Sequence, residues 1–534
     1  FHLLQMPFLA ASWSALSVRL LSWAAGVATL VVLLLLARAI PGTGVNPRRA
    51  LAVSQVSQGA SLTRLATVLP AAAVVGSAAV DVQLLATFHT ARQEALLVLV
   101  EALALFLFFR RADAWRRRDT VLLGALLVVS IGIHPNSLII AVPFVPLMLT
   151  VRPDGGGAKL RLARDAELPE ATRARFAELG VLMAILAVGA ALFIGLSLLM
   201  DPGFFQHYAA FGESVGVADP LLRRWYRFRQ FFAKLYTRAA GTYYLPPVRL
   251  QLLVGALSMG AGTVIALVSV ARRKWRTRSA RALAEDAAWV AGPSRAALER
   301  AIGRLILMVI ATLVAFFAVG KFSPPSIVFL FPPGMLLLGA EIAWGAHHLT
   351  HVRSRADRGR PLMRVASAAG VVALSAVVLA LMAASGASTV RELAYWRRFS
   401  YADYVATVRR HVMEDEVALA NLNAGFALAP GQLRVWRDLA SLEGTGLTFT
   451  KFVERERIST ILYPDELDVI FRERPVWNEL YGNLYPYYEE MQLFLAEACE
   501  LVAVYDAPVY AMRIVPKMGQ NERIRVYRVR VPGS

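Results

Sequence analysis

The segment TFHTARQEALL places three ionisable side chains, His89, Arg92 and Glu94, directly before a long apolar run. A fourth, Asp81, lies within the apolar run that precedes them. Ionisable groups at membrane depth cost free energy, so each is a functional candidate when it faces a cavity. Together they predict one wall of a polar cleft. The alternative is that Arg92 and Glu94 are interface residues that pair or extend toward lipid head groups.

Two segments that contain proline carry further candidates. In GIHPNSL, His134 and Asn136 flank a proline that breaks a short apolar run, although an ordinary turn between helices also accounts for them. In GKFSPPS, Lys321 is a lone basic residue just before a proline pair. Its ammonium group suits a phosphate as a compact point charge. A lysine extending toward head groups is the alternative.

The segment RRWYRFRQ interleaves arginines with aromatic residues, which predicts an interfacial helix that binds anionic lipid phosphate. Its arginines are Arg223, Arg224, Arg227 and Arg229. In the nearby GTYYLPP, Tyr243 and Tyr244 offer aromatic faces of the kind that stack on sugars or lie in the interfacial belt. Ordinary interfacial anchoring is the alternative for both segments.

Apolar spans must position these residues. The chain is 57% hydrophobic, with a mean hydropathy of +0.50, which is typical of an integral membrane protein. A span needs about 20 apolar residues, and ten runs approach that length. They are 14–37, 66–87, 93–109, 119–134, 137–151, 179–200, 250–271, 304–320, 326–346 and 365–387. The short runs 119–134 and 137–151 are either two helices joined by a tight turn or a re-entrant pair.

Basic residues between the runs predict the orientation. The connections between the runs form two alternating sets. One set holds 28 lysines and arginines and the other holds 9, and the richer set is expected in the cytoplasm. The candidate residues named above then face the outside, as does Phe1. A start outside, without Met, predicts at least one further span upstream. The net charge is +19, but the basic residues stand between apolar runs rather than on a patch of a soluble domain. Nucleic-acid binding is therefore not expected.

The character of the chain changes near residue 390. Residues 391–534 contain 18 basic and 20 acidic residues, and helical and strand-like periodicities alternate. We therefore predict a transmembrane helical domain over 1–389 and an extracytoplasmic α/β domain over 390–534. Because Cys499 is the sole cysteine, an intrachain disulfide is impossible.

Several catalytic motifs are missing from the sequence. It has no phosphate-binding P-loop, no HExxH, no paired CxxC and no GxSxG, so an ATP-driven pump, a zinc protease and an α/β-hydrolase have no support. HHLTH has helical spacing for a metal but lies beside arginines at a predicted cytoplasmic end. No metal site and no cofactor is assigned, and dependence on a divalent metal stays undecided.

Four segments together resemble the GT-C superfamily of integral membrane glycosyltransferases, which includes protein O-mannosyltransferases and the aminoarabinose transferase of lipid A. They are the RLLS start of a span at 19–22, HTARQE with Gln93 where proline is common, the HPN turn, and GKFSPP, whose expected aromatic residue is missing. Their order and spacing extend the resemblance over most of residues 1–387.

The resemblance implies inverting transfer of a sugar from a polyprenyl-phosphate donor to a glycan, lipid or protein acceptor. The reaction would occur on the outer face of the cell membrane, in envelope glycan or glycoprotein assembly. Arg92, Lys321 and the RRWYRFRQ arginines would stabilise the leaving phosphate. Asp81, His89, Glu94, His134, Asn136 and the two tyrosines would support them. The acidic base would lie in an outer loop upstream of Phe1.

Two other functions are open at this point. A polytopic lipid or polysaccharide transporter or flippase would need buried charges along a path open to both faces. A non-catalytic GT-C-fold component of an envelope complex would lack the carboxylate base.

Overall fold

The computed structural model describes residues 2–40, 60–90, 92–134, 136–152, 168–207, 209, 219–237, 248–278, 295–320, 322, 324–356, 361–442, 445–473, 484–507, 510 and 523–530. The chain divides into two compact units. One is formed mainly by residues 16–238 and 245–391, and the other mainly by residues 392–534.

The first unit is helical. Its α-helices are α1 (His2–Ala11), α2 (Ala15–Ala39), α3 (Ala60–Ala79), α4 (Val82–His89), α5 (Glu94–Arg111), α6 (Arg117–Ile133), α7 (Ser137–Ala141), α8 (Phe144–Met148), α9 (Leu168–Met200), α10 (Leu221–Thr237), α11 (Arg249–Arg278), α12 (Arg295–Val319), α13 (Phe331–Ala356) and α14 (Pro361–Trp396). A 3₁₀ helix, Pro324–Leu330, connects α12 to α13 and is called the proline 3₁₀ helix below.

Six helices of the described chain are long and apolar enough to cross a membrane, and α3 with α4 forms a seventh candidate bent by 54°. Each of the ten predicted runs lies on helical segments. The predicted number of ten spans stays a prediction, because α5 carries Glu94, Glu101, Arg110 and Arg111 and α6 has only 17 residues. By length and composition, these helices are those of a multi-pass membrane protein.

The helices of the first unit pack closely where glycine permits it. Gly26 of α2 faces Phe88 of α4, and a Cβ at this glycine would overlap the phenyl ring. The aromatic ring therefore occupies the space that any larger residue would need. This contact fixes the end of α4, and with it His89, against α2.

At the opposite end of α5, a buried arginine joins three segments. Arg304 of α12 donates hydrogen bonds to the carbonyl oxygens of Ala112 and Thr150 at 3.4 and 2.9 Å and to a carboxylate oxygen of Asp113 at 3.0 Å. A buried guanidinium is tolerated only when its donors find acceptors. Arg304 thus ties the turn after α5 and the end of α8 to α12.

The second unit is an α/β domain, as predicted. Its elements are α15 (Tyr401–His411), β1 (Val417–Ala420), β2 (Leu433–Val435), α16 (Phe449–Arg455), β3 (Ile458–Pro464), α17 (Glu466–Glu473), α18 (Tyr488–Glu497), β4 (Cys499–Asp506) and β5 (Arg523–Val529), with 3₁₀ turns at Leu422–Phe426, Trp436–Leu442 and Tyr485–Tyr487. Strands β1, β3, β4 and β5 lie on the segments EVALAN, ISTILYP, LVAVYD and RIRVYRVRV, whose strand-like periodicity is visible in the sequence. A similar segment, VYAMRIV, lies almost entirely outside the described residues.

The five strands form one sheet in the order β2-β1-β3-β5-β4, in which β1 is parallel to β2 and β3, and β5 is antiparallel to β3 and β4. Alternate residues of a strand face opposite sides of the sheet. Ile461 and Tyr463 accordingly pack with α16, α17 and α18, whereas Leu462 packs with α15. The sheet is thus covered by helices on both faces, which is the layered arrangement of α/β domains.

The buried Cys499 provides a test of this unit. Burial raises the pKa of its thiol from the ordinary 9.0 to about 11, so the reactive thiolate is about 100-fold scarcer than in an exposed thiol at mildly alkaline pH. We expect a maleimide to label the native chain at least about 100-fold more slowly than the unfolded chain, as measured by mass spectrometry. The Cys499→Ser variant should not be labelled, and equal rates for native and unfolded wild type would contradict this packing.

Candidate functional site

Asp81 lies at the break between α3 and α4 and caps α4. One of its carboxylate oxygens accepts hydrogen bonds from the backbone N–H groups of Gln83 and Leu84, both at 2.9 Å. The other accepts from Nε2 of Gln251 on α11 at 2.7 Å. A carboxylate with three donors is well compensated in a buried position. Asp81 therefore fixes the bend and links it to α11.

Arg92 and Glu94 form a bidentate ion pair in the turn before α5. Arg92 Nε and Nη2 donate to the two carboxylate oxygens of Glu94 at 3.0 and 2.9 Å. The Glu94 side chain is only 1% exposed and that of Arg92 is 30% exposed. Planar guanidinium and carboxylate groups match in this geometry. The pair holds a charged carboxylate at the base of the turn and orients the guanidinium.

The turn that holds Arg92 is also tied to α2. The hydroxyl of the buried Ser22 donates to the carbonyl oxygen of Arg92 at 3.3 Å. Ser22 ends the RLLS segment, so the first two of the four segments are in direct contact. His89, at the end of α4, is exposed, and its Nδ1 lies 2.8 Å from the Leu85 carbonyl oxygen. The carbonyl can only accept, so Nδ1 carries the proton and Nε2 is the acceptor atom of the neutral ring.

The HPN turn is joined to the proline 3₁₀ helix. Nδ2 of Asn136 donates to Oγ of Ser326 at 3.1 Å, and both residues are buried, at 2% and 0% exposure. His134 ends α6, and its Nδ1 accepts from the backbone N–H of Asn136 at 3.0 Å. The HPN turn is therefore bonded to the residue that directly follows GKFSPP, 190 residues further along the chain.

Several helices of the first unit meet at the proline 3₁₀ helix, which we call the junction. It contacts α4, α5, α12 and α13, so it lies next to the helices on both sides of the Arg92 turn. Its prolines cannot donate backbone hydrogen bonds, and its buried residues Ile327, Val328 and Phe329 pack in the main core. This short helix thus begins within GKFSPP, is bonded to the HPN turn and contacts the helices that flank HTARQE, whereas RLLS is linked to it only through the Arg92 turn.

Helix α10 packs against the chain that leads into this junction. Phe228 and Phe231 contact the ring of Phe322, with ring centroids 5.7 and 5.9 Å apart. Arg224 Nη1 donates to the Ala318 carbonyl oxygen at 3.1 Å, at the C-terminal end of α12. A cation is favourable there because it neutralises the helix dipole.

Gly320 makes this approach possible. Its φ of 72° is the left-handed conformation that commonly ends a helix. An added Cβ would lie 3.1 Å from Nε of Arg224. A side chain at this position would therefore both strain the backbone and displace the arginine.

The four arginines of α10 do not converge on one point. Arg223 and Arg227 pair with Asp219 at 3.7 and 2.8 Å, whereas Arg224 faces α12. Arg229 is exposed on the surface. A shared role for all four at one donor phosphate stays a prediction, and the geometry divides them between two faces of the helix.

A largely apolar cavity of about 310 Å³ opens beside Asp81. Its walls come from α10, α11, the proline 3₁₀ helix and α13, with further residues from α3, α12 and α14. Phe232, Met259, Ile327, Leu330, Met335 and Leu381 are among the apolar residues that line it. Asp81 and Gln251 supply polar groups on one wall. Such a cavity suits an apolar chain attached to a polar group.

Three of the predicted site residues, Lys321, Tyr243 and Tyr244, lie outside the described residues.

Glu101, seven residues after Glu94, is fully buried, and neither of its carboxylate oxygens has a hydrogen-bond partner in the described chain. No group of three or more histidine, cysteine, aspartate or glutamate side chains that could hold a metal occurs among the described residues.

Sequence reasoning missed three residues of this site: Gln251, Ser326 and Gly320. A single glutamine or serine in an apolar run has no periodic signal. Gly320 did carry one, since a glycine directly after an apolar run of helical length is a typical helix end.

The cap at Asp81 can be tested. Asp81→Ala should lower the unfolding free energy by roughly 1 kcal/mol, because two N–H groups at the start of α4 lose their acceptor. Asp81→Asn should remain close to wild type, since asparagine also caps helices and Gln251 can rotate its amide. Thermal unfolding in detergent measures both variants. An equal loss in Asp81→Asn would show that the charge, rather than the cap, is required.

The bond between Asn136 and Ser326 can be measured by a double-mutant cycle. Asn136→Ala and Ser326→Ala should show a coupling of roughly 1 kcal/mol in unfolding, as buried side-chain bonds in membrane proteins do. The matched control is Ser130→Ala, whose hydroxyl bonds the Leu127 carbonyl of its own helix. We expect no coupling between Ser130 and Asn136. Additive effects in the Asn136 and Ser326 pair would contradict the junction.

No protein-family model matches the chain, and no curated protein matches it. Among solved structures, the chain is similar to the crystal structure of ArnT from Cupriavidus metallidurans bound to undecaprenyl phosphate. The identity is 14%, the match covers 96% of this chain and 83% of that chain, and the TM-score is 0.39. A TM-score this low does not establish a shared fold, so the functional conclusion rests on the chain's own residues.

Proposed function

We propose that the chain is a membrane glycosyltransferase of the GT-C type. It transfers a sugar from a polyprenyl-phosphate-linked donor to a glycan, lipid or protein acceptor at the outer face of the cell membrane, in envelope assembly. One observation carries the proposal: segments distant in sequence are linked beside an apolar cavity, since RLLS contacts HTARQE, the helices that flank HTARQE contact the proline 3₁₀ helix, and HPN is bonded to that helix, which begins within GKFSPP.

The charge that develops on the donor phosphate suits the residues near the Arg92 turn and the proline 3₁₀ helix. When the sugar leaves, negative charge develops on a lipid phosphate, and groups already oriented toward that charge stabilise it most effectively. The pair with Glu94 orients the guanidinium of Arg92 at the turn. Lys321 follows Gly320, which Arg224 approaches closely. We assign Arg92 and Lys321 to the phosphate, with His89, His134 and Asn136 supporting the surrounding turns.

The apolar cavity fits the other part of the donor. A polyprenyl chain has no polar groups beyond its phosphate, so its burial against apolar side chains is favourable. The cavity lies next to Asp81, at the end of α3 from which α4 leads toward the Arg92 turn. An amphipathic donor could therefore place its chain and its phosphate in neighbouring parts of the first unit.

The carboxylate that deprotonates the acceptor hydroxyl is left unassigned. Asp81 already accepts three hydrogen bonds, and Glu94 is paired with Arg92. Neither is placed as a general base needs to be, with an acceptor oxygen directed at the substrate. Residues 390–534 complete the proposal as the extracytoplasmic domain.

Replacing Lys321 or Arg92 with alanine should reduce transfer from a polyprenyl-phosphate sugar by roughly 100-fold or more, because a cation that stabilises the developing phosphate charge is lost. The assay uses the full chain in proteoliposomes with a panel of radiolabelled donors. Arg437→Ala, on the exposed surface of the second unit, is the matched loss of charge and should leave transfer unchanged.

Arg92→Ala also leaves Glu94 as a buried, unpaired carboxylate, which by itself is destabilising. The double variant Arg92→Ala/Glu94→Gln removes both charges and separates the two effects. It should fold and remain inactive if Arg92 acts on the phosphate. Recovery of transfer in the double variant would show that Arg92 acts through Glu94, and undiminished transfer in Lys321→Ala and Arg92→Ala would refute the phosphate assignment.

A further inference from the structure

Helix α10 exposes a face that is rich in cations and aromatic rings. We call the residues Arg223, Trp225, Tyr226, Arg227 and Arg229 its outward face. All five are exposed: Arg223 and Arg227 side chains by 68% and 43%, and Trp225 and Tyr226 by 49% and 61%. Packing inside the first unit therefore does not explain why charged and aromatic residues occur at these positions.

The opposite face of α10 is packed. Phe228, Phe231 and Leu235 recur at the spacing of one helical face, and Phe231 and Leu235 are buried in the main core. Arg224 lies on this same inward face, against the end of α12. Helix α10 thus has one face that contacts the chain leading into the proline 3₁₀ helix and another that contacts its surroundings.

The charge of α10 is strongly positive. The helix carries four arginines and Lys234 and no acidic residue. Asp219, just before it, pairs with Arg223 and Arg227 and supplies a single compensating charge. Exposed Trp225 and Tyr226 are residue types that favour the membrane–water interface. A partner for this face must therefore be anionic and must accept amphipathic rings, which describes the head-group layer of an anionic membrane.

We propose that the outward face of α10 binds the anionic head groups of the surrounding membrane, and that this contact stabilises the end of α12 and the proline 3₁₀ helix through the inward face. The lipid contact stands independently of the proposed transferase. Each basic side chain close to an anionic surface strengthens the association about fivefold. The contact is electrostatic, so it weakens as salt is raised.

The test measures lipid selectivity of the full chain. The protein is reconstituted in equimolar phosphatidylcholine and phosphatidylglycerol, and electron paramagnetic resonance compares the association of spin-labelled forms of the two lipids. Wild type should prefer phosphatidylglycerol, and added salt should reduce the preference. The triple variant Arg223→Gln/Arg227→Gln/Arg229→Gln should lose most of it. The charge-preserving triple variant with lysine at these positions should keep it.

A matched control removes three exposed cations from the second unit: Arg410→Gln/Arg437→Gln/Lys451→Gln. It should retain the wild-type preference. The single variant Arg229→Gln guards against misfolding, since this exposed side chain has no hydrogen bond or ion pair within the described chain to lose, and it should weaken the preference about fivefold or less. An unchanged preference in the α10 triple variant, or loss of preference in the lysine variant, would overturn the proposal.

Hydrogen exchange tests the second half of the proposal without any assay of transfer. In wild type, phosphatidylglycerol should slow amide exchange at Gly320, which donates to the Phe316 carbonyl oxygen, and in the proline 3₁₀ helix. In the α10 triple variant, the two lipids should give the same exchange. An equal effect of phosphatidylglycerol in both proteins would show that α10 does not carry the coupling. Loss of transfer with intact lipid selectivity would count against the proposed function alone.

Discussion

Backbone that leaves the α-helical conformation inside an apolar bundle must find its hydrogen-bond partners within the protein. Within the proline 3₁₀ helix, the polar side chain of buried Ser326 is also satisfied internally, since its hydroxyl oxygen accepts a hydrogen bond from Nδ2 of buried Asn136 in the HPN turn. Pro324 and Pro325 have no N–H groups, so two fewer backbone donors need partners in this segment. Helices α4, α5, α12 and α13 all contact this short segment, so their relative positions depend on it.

The same low-dielectric surroundings govern the charges. Asp81 and Glu94 each have compensating donors, and the Arg92 guanidinium is oriented by the carboxylate of Glu94. Such compensation is expected, because an unpaired buried charge is far costlier than a surface one. In the proposed reaction, such a site would stabilise the developing anion through groups whose direction is fixed beforehand, rather than through a surplus of mobile cations.

The helices of this arrangement were predictable from the sequence. The contacts between them were not, for a physical reason. Apolar runs predicted the positions of the helices, and arginine and aromatic spacing predicted the surface helix α10. Contacts between residues distant in the chain, such as Ser22 with Arg92 and Asn136 with Ser326, produce no periodic pattern. The division of the α10 arginines between two faces follows from 3.6 residues per turn, but which face packs against α12 depends on tertiary contacts of Phe228 and Phe231.

Helix α10 connects the apolar and polar parts of the site. Phe232 lines the cavity, whereas Arg224, two turns earlier, neutralises the end of α12 beside Gly320. The helical rise of 1.5 Å per residue places these two side chains about 12 Å apart along one axis. The apolar lining of the cavity and the cation at the end of α12 are therefore held at a set spacing by a single helix, so the packing of Phe228 and Phe231 on Phe322 positions both of them.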